Sequence, residues 1–354
     1  MGKYYINDNS KSELTNRLME LISNSTQYIK ISSFLMQDKE VVNRLMEISS
    51  SGQAAVFVIS NQNRKESDEY NESGEIKTDN DKPGVNSHEM FLQSLFFAGI
   101  HVRLLDNLHA KFLVVDGNDG LLMSANISNN SLRRNVETGI SLNTKELSDL
   151  ELIFDTMYNY ADIVRFVNKR NVDIVKKSYK PLPSSILGSL DSNIKLTACS
   201  KKQTNLSDCH ITSIYDTIIS MINSSRKFIY IVSWEFKDYG KGLSLFYKAI
   251  EKAIKRKVVV KLYYNEVGSP KNLMNQRDFI YKMGVIGCDA YSDKTNHSKC
   301  ILTESQGFLF TANIDGYKGL TEGFEVGCIL DEEQYIRALA HVESLIEKGN
   351  KARI

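Results

Sequence analysis

The chain has 354 residues, 42% of them apolar and 25% charged, with a formal net charge of +1. That is ordinary for a globular protein and long enough for two domains with real cores. No run of 18 apolar residues is present, which excludes a helical membrane span. The opening MGKYYINDNSKSEL lacks the apolar core of a signal peptide, so a cytoplasmic location is expected.

In chain order, residues 15 to 60 predict an amphipathic helix, a strand from Tyr28 to Phe34, a helix over about 38 to 50 and a strand from Ala54 to Ile59. A polar segment from Asn61 to Ser87 follows, with seven acids, four bases and Pro83-Gly84 near its end. It reads as a surface insertion, with a lid or substrate gate as the sharper alternative. The segment from Lys176 to Ser185 holds two of the four prolines and reads as an extended connector.

Residues 210 to 264 repeat the earlier order: helix, strand (Phe228 to Trp234), helix (about 242 to 256) and strand (Lys257 to Tyr264). Ile31-Ser32-Ser33-Phe34 matches Ile231-Val232-Ser233-Trp234, and Ala98-Gly99-Ile100 is aligned with Met283-Gly284-Val285. The reading is an internal duplication: a half over 1–175, a linker over 176–195 and a half over 196–354. Alternating helices and strands imply an α/β fold with a mixed, mainly parallel sheet in each half. The five cysteines (Cys199, Cys209, Cys288, Cys300, Cys328) have no CxxC pairing and read as reduced thiols, neither disulfides nor zinc ligands.

One motif occurs in both halves. HAKFLVVD gives His109, Lys111 and Asp116; HSKCILTE gives His297, Lys299 and Glu304. Each is followed by a short apolar run ending in a hydroxyl residue, Ala and Asn: Ser124 and Asn126, then Thr311 and Asn313. Glu137 follows His109 by 28 residues, and Glu325 follows His297 by 28. In strands, residues i and i+2 share a face. Adjacent strands would therefore gather an imidazole, an ammonium, a hydroxyl and an amide, twice over. A lysine beside each histidine disfavours a hard-cation site, and no metal or other cofactor is called for.

This pattern resembles the phospholipase D superfamily, whose signature is His-x-Lys, four residues, Asp, six residues, Gly-Ser-x-Asn. The first copy carries Met123 at the glycine position. The second carries Glu304 for the aspartate, Phe310 for the glycine and Thr311 for the serine, with one residue fewer before Asn313. The resemblance implies two similar halves with the active site in the cleft between them, so no oligomer is required to complete it. It also implies metal-independent phosphodiester cleavage through a phosphohistidine. His109 would be the nucleophile and His297 the acid/base. Lys111, Lys299, Asn126 and Asn313 would hold the phosphoryl oxygens, supported by Ser124 and Thr311. Glu137 and Glu325 would orient the rings, and Asp116 and Glu304 look structural.

Within that superfamily the chain reads as a cytoplasmic nuclease. A phospholipase or other lipid phosphodiesterase is the first alternative, and a non-catalytic nucleic-acid-binding module with a decayed site the second. From Phe236 to Lys261 there are eight bases against two acids, and Lys248, Lys252 and Lys255 share a helical face that could follow a phosphate backbone. Trp234 is a candidate for base stacking, with core packing as its plainer role. The Asn-, Lys-, Ile- and Ser-rich composition suggests a bacterial or phage genome. Defence against foreign DNA, with partner proteins of such a system, would suit a nuclease of this kind.

Overall fold

A computed structural model describes residues 2–61, 87–168, 171–175, 185–199, 211–238, 242–316 and 319–352. Most of the polar insertion, residues 62–86, and residues 176–184 of the connector lie outside the described residues.

Each half is organised around one central strand. In the first, Tyr28–Ser33 has Ala55–Asn61 parallel on one side and Phe112–Val115 antiparallel on the other. In the second, Phe228–Val232 lies between parallel Val259–Asn265 and antiparallel Cys300–Thr303. The sheet continues outward through Asp119–Met123 and Glu137–Ser141 in the first half. Gly307–Phe310 and Gly323–Ile329 do the same in the second. Strands over 4–175 form one sheet and most strands over 194–351 the other, with Phe236–Lys237 and Ile314–Asp315 pairing separately. Ser185–Ser189, inside the expected connector, is a short helix.

The sheets are mixed, but parallel pairing is confined to three neighbouring strands in each, so "mainly parallel" overstates it. The motif strands are joined by tight turns, which permit only antiparallel neighbours. Asp116 and Gly117 supply such a turn, both with positive φ.

Local sequence sets the ends of one of the covering helices. Asp38 caps Lys39–Ser51 by accepting from the Val41 N–H, and Gly52 ends that helix at φ +72. Ile29, Ile31, Val56 and Val58 bury one sheet face under Glu13–Ser23, Lys39–Ser51 and Ser87–Phe97. The second sheet is covered in the same way by Ser213–Ser224, Ser244–Lys255 and Pro270–Val285.

The inner faces of the two sheets share a third core. Phe112, Val114, Leu122 and Ile140 pack there with Leu302, Leu309 and Val326. Two capped helices enter this layer, Thr144–Tyr160 with Leu150 and Phe154, and Glu332–Lys348 with Val342 and Ile346. Each such fully buried large side chain stabilises by about 1.5–3 kcal/mol. The halves are therefore locked through apolar contacts, and that fixes the seam in which the motifs meet.

One repeat alignment needs correction. Ala98-Gly99-Ile100 corresponds to Ile286-Gly287-Cys288, three residues beyond the expected match. Gly99 and Gly287 both have positive φ and both follow a helix end, with Gly99 N–H bonded to Phe96 O and Gly287 N–H to Gly284 O. Gly284 lies inside its helix.

Candidate active site

Both His-x-Lys motifs sit just before their strands, which begin at Phe112 and Cys300, not within them. Ser124 and Thr311 likewise come just after Met123 and Phe310. The backbone stays extended and paired across these steps: Met123 N–H bonds to Lys111 O at 3.1 Å, and Phe310 N–H to Lys299 O at 3.3 Å. Side-chain alternation therefore persists, and the four functional types gather as the pattern requires.

The loops ahead of the motifs cross to the other half. His109 N–H donates to Phe324 O (2.9 Å) and Phe324 N–H to Asn107 O (3.0 Å). In the mirrored arrangement, His297 N–H donates to Val136 O (2.9 Å) and Val136 N–H to Thr295 O (2.8 Å). Each histidine is thus held one residue from the glutamate of the opposite half. His109 Nδ1 is 2.7 Å from Glu325 Oε1, and His297 Nδ1 is 2.7 Å from Glu137 Oε1. The second carboxylate oxygens accept from hydroxyls, Glu325 from Thr311 Oγ1 at 2.5 Å and Glu137 from Ser124 Oγ.

Lys111 and Lys299 are fully buried. Their Nζ atoms donate to the carbonyls of His109 (2.6 Å) and His297 (2.7 Å), and Lys299 Nζ also lies 3.4 Å from His297 Nδ1. Asn126 and Asn313 are buried, and the side-chain oxygen of each has no hydrogen-bond partner. The two amides thus retain hydrogen-bonding capacity at equivalent positions in the two halves.

Burial sets the protonation states. It pushes both imidazoles down to about 4, although Glu325 and Glu137 pull the other way. It also pushes Lys111 down to about 7 and Lys299 to about 8, against the attraction of the two glutamates. Burial opposes charge on Glu137 and Glu325 too, but their imidazole partners, the lysines and the hydroxyl bonds outweigh it. Both carboxyls lie below their ordinary range. A neutral ring whose Nδ1–H donates to a carboxylate carries its lone pair on Nε2, as a nucleophile or base requires.

Further residues support the two rings, and of these only the strand-end aromatics stood out in the sequence. Phe34 packs edge-on to His109 and Trp234 tilts against His297, each at 5.4 Å between ring centroids. Both aromatics are buried, so Trp234 packs on the ring and is not presented to solvent. Ser33 Oγ accepts from Ile127 N–H and Ser233 Oγ from Ile314 N–H, each at 3.1 Å, which ties the aromatic loop to the asparagine turn. The Gln276 side chain bridges Phe236 N–H and Asn265 O. His88 takes the same place in the first half, accepting from Met36 N–H at 3.0 Å and bonding the Asn61 backbone. Asn265 then reaches Asn296 O beside His297. The paired Ser33 and Ser233 in the matching strand sequences were the available signal.

Three other groups lie elsewhere. Asp116 accepts from Thr26, Gln27 and Tyr28 N–H at 2.8 Å, and Glu304 from Ser225 Oγ and Arg226 N–H. These partners lie at or just before the start of the central strands, a full strand length from the histidines. Lys248, Lys252 and Lys255 are exposed on Ser244–Lys255. That helix ends beside Val259, opposite the Asn265 end that meets the site, so Lys252 and Lys255 are not brought to the seam. Among the described residues, no group of three or more His, Cys, Asp or Glu is placed to hold a metal ion.

Comparison with known proteins bears on this geometry. A family described as "Cardiolipin synthase, PLD-like domain" matches residues 18–158, which contain the first motif and Glu137. Over that stretch the chain is similar to PLD-like domains. Solved structures show the same fold over nearly the whole chain. Phosphatidylserine synthase from Haemophilus influenzae is similar over 99% of this chain and 87% of its own, at 12% identity and a TM-score of 0.66. Polyphosphate kinase from Porphyromonas gingivalis is similar over 98% of this chain at 12% identity and a TM-score of 0.60. This chain spans only 47% of that kinase. A comparison with curated proteins gives no match. The second half-site departs further from the His-x-Lys signature than the first, yet its His297, Lys299 and Thr311 occupy the places of His109, Lys111 and Ser124.

Proposed function

We propose that the chain is a phosphodiesterase that works through a phosphohistidine without a metal ion, and that its substrate is a nucleic acid. The crossed pairing of each histidine with the other half's glutamate carries the reading. It supplies two oriented imidazoles at one seam, one for each step of a double displacement. His109 Nε2 attacks phosphorus, and the leaving alkoxide takes a proton from His297. Water then gives a proton back to His297, attacks phosphorus and breaks the P–N bond. Lys111, Lys299, Asn126 and Asn313 stabilise the phosphoryl oxygens as negative charge builds on them.

The choice of nucleic acid over lipid rests on the cleft mouth. Among the described residues, the loops ending at the seam (34–38, 105–109, 124–136, 234–238, 265–269, 293–297 and 313–316) carry no exposed large apolar side chain. Met90, Phe97, Met274, Tyr281 and Val285 are exposed on the outer helices instead. An enzyme that works on a bilayer would be expected to present apolar surface around its site. The test is parallel cleavage of single-stranded DNA, duplex DNA, RNA and phosphatidylcholine vesicles in excess EDTA. Cleavage of a nucleic acid that persists in EDTA is expected. Lipid cleavage alone overturns the substrate, and loss of activity that Mg2+ restores overturns the mechanism.

A further inference from the structure

Four ionised side chains meet at the two rings. Glu325, Lys111 and Lys299 act on His109; Glu137, Lys299 and Lys111 act on His297. All four are buried. While both lysines keep their protons, below a pH of about 7, two ammonium and two carboxylate charges cancel, so with both rings neutral the seam has no net charge. A phosphodiester introduces one negative charge, and one proton on a ring restores neutrality. A phosphomonoester ionises a second time near a pH of about 6. Its dianion would need protons on both rings, and that removes the neutral imidazole required for attack.

Building on the phosphodiesterase reading, we propose that this is a one-charge site, which takes up a phosphodiester monoanion together with one proton and excludes the dianion of a phosphomonoester. An uncompensated charge in a water-poor seam is opposed far more strongly than one at the surface. The proton taken up is the one the leaving alcohol needs, so substrate binding itself arms His297 as the acid. Hydrolysis breaks the bond from phosphorus to the leaving oxygen and forms one to the water oxygen. It yields an alcohol and a monoester monoanion. Loss of the second phosphate proton turns that product into the excluded form, and it leaves.

Calorimetric titration of the intact chain with dimethyl phosphate and methyl phosphate tests this. Dimethyl phosphate stays a monoanion throughout, whereas methyl phosphate becomes a dianion above a pH of about 6. In buffers of different ionisation enthalpy, dimethyl phosphate should bind with uptake of about one proton near neutral pH, by charge balance. The ratio of the two dissociation constants should be nearly flat below pH 6 and should rise tenfold per unit above it, to about a hundredfold at pH 8. Glu137→Gln removes one negative charge, so below a pH of about 7, where both lysines are protonated, it should abolish the proton uptake and bring the ratio close to one, by the same balance. Circular dichroism checks its fold, and the native protein decides the matter alone if that variant does not fold. A flat ratio, or tighter binding of methyl phosphate at pH 8, overturns the proposal. Turnover of bis(p-nitrophenyl) phosphate in the same preparations separates the two levels. Turnover with a flat ratio refutes only the charge selectivity. No turnover together with no binding of dimethyl phosphate refutes the phosphodiesterase reading as well.

Discussion

Replacing either glutamate by glutamine should impair the histidine of the opposite half. Glu325→Gln leaves an oxygen for His109 Nδ1–H but removes the charge 2.7 Å away. That charge matters once His109 bonds to phosphorus and its ring becomes cationic. Unit charges about 4 Å apart at an effective dielectric of about 20 interact by about 4 kcal/mol, or about a thousandfold in rate. Part of this is returned by the neutral hydrogen bond, so a loss of about 10²–10³ in the affected step is expected. With bis(p-nitrophenyl) phosphate, whose leaving group needs no proton, the burst of p-nitrophenol reports attack by His109 and the steady state reports hydrolysis of the adduct. Glu325→Gln should slow the burst. Glu137→Gln should leave the burst intact and slow the turnover that follows, because it acts on His297. The reverse assignment would refute the crossed pairing as the catalytic arrangement. Two intact phases in both variants would refute any orienting role for the glutamates.

Other expectations follow from the same geometry. For this activated substrate, kcat/KM should rise as pH climbs through about 4, where His109 loses its proton, and fall above about 7 to 8, where Lys111 and Lys299 lose theirs. A pH–rate profile flat to pH 10 would contradict the lysine assignment. His88 is buried and held down to about 4, below its unfolded value, so its contribution to stability is present above about 6.5 and is lost as pH falls toward 4. By linkage the difference is about 3 kcal/mol. His88→Gln copies Gln276, and it should move the acid-unfolding midpoint to lower pH while preserving turnover at pH 7; an unmoved midpoint counts against this reading. Asp116→Asn weakens the contacts to Thr26, Gln27 and Tyr28 and should lower the melting temperature by a few degrees with kcat changed less than about threefold. A loss of kcat like that of a histidine variant would make Asp116 more than structural.

Much of the site was legible because it repeats at short range. The order of His109, Lys111, Ser124 and Asn126 recurs at 297, 299, 311 and 313 with one residue fewer between the pairs, and side-chain alternation is a local property of extended chain. The crossed pairing was not legible. His109 and Glu325 are 216 residues apart, and both glutamates lie 28 residues after a histidine, so spacing alone favours neither partner. Gly284 drew the repeat alignment to the wrong glycine, because positive φ at Gly99 and Gly287 does not show in composition. Helical periodicity showed that Lys248, Lys252 and Lys255 share a face, but not which end of the sheet that face adjoins. The equivalence of His88 and Gln276 was hidden because the insertion at 61–87 has no counterpart of similar length in the second half.

The central claim is that His109 becomes covalently bonded to phosphorus. The most direct measurement uses rapid quenching of the His297→Ala protein with bis(p-nitrophenyl) phosphate, followed by peptide mapping in alkali, where a phosphoramidate survives. The leaving group needs no acid, so the adduct should form and then stall for lack of a base to activate water. The account predicts a label on the peptide that carries His109 and Lys111. A label on His297 in the His109→Ala protein, with none in the converse experiment, would reverse the roles. No adduct in either protein would make direct attack by water the mechanism and contradict the account.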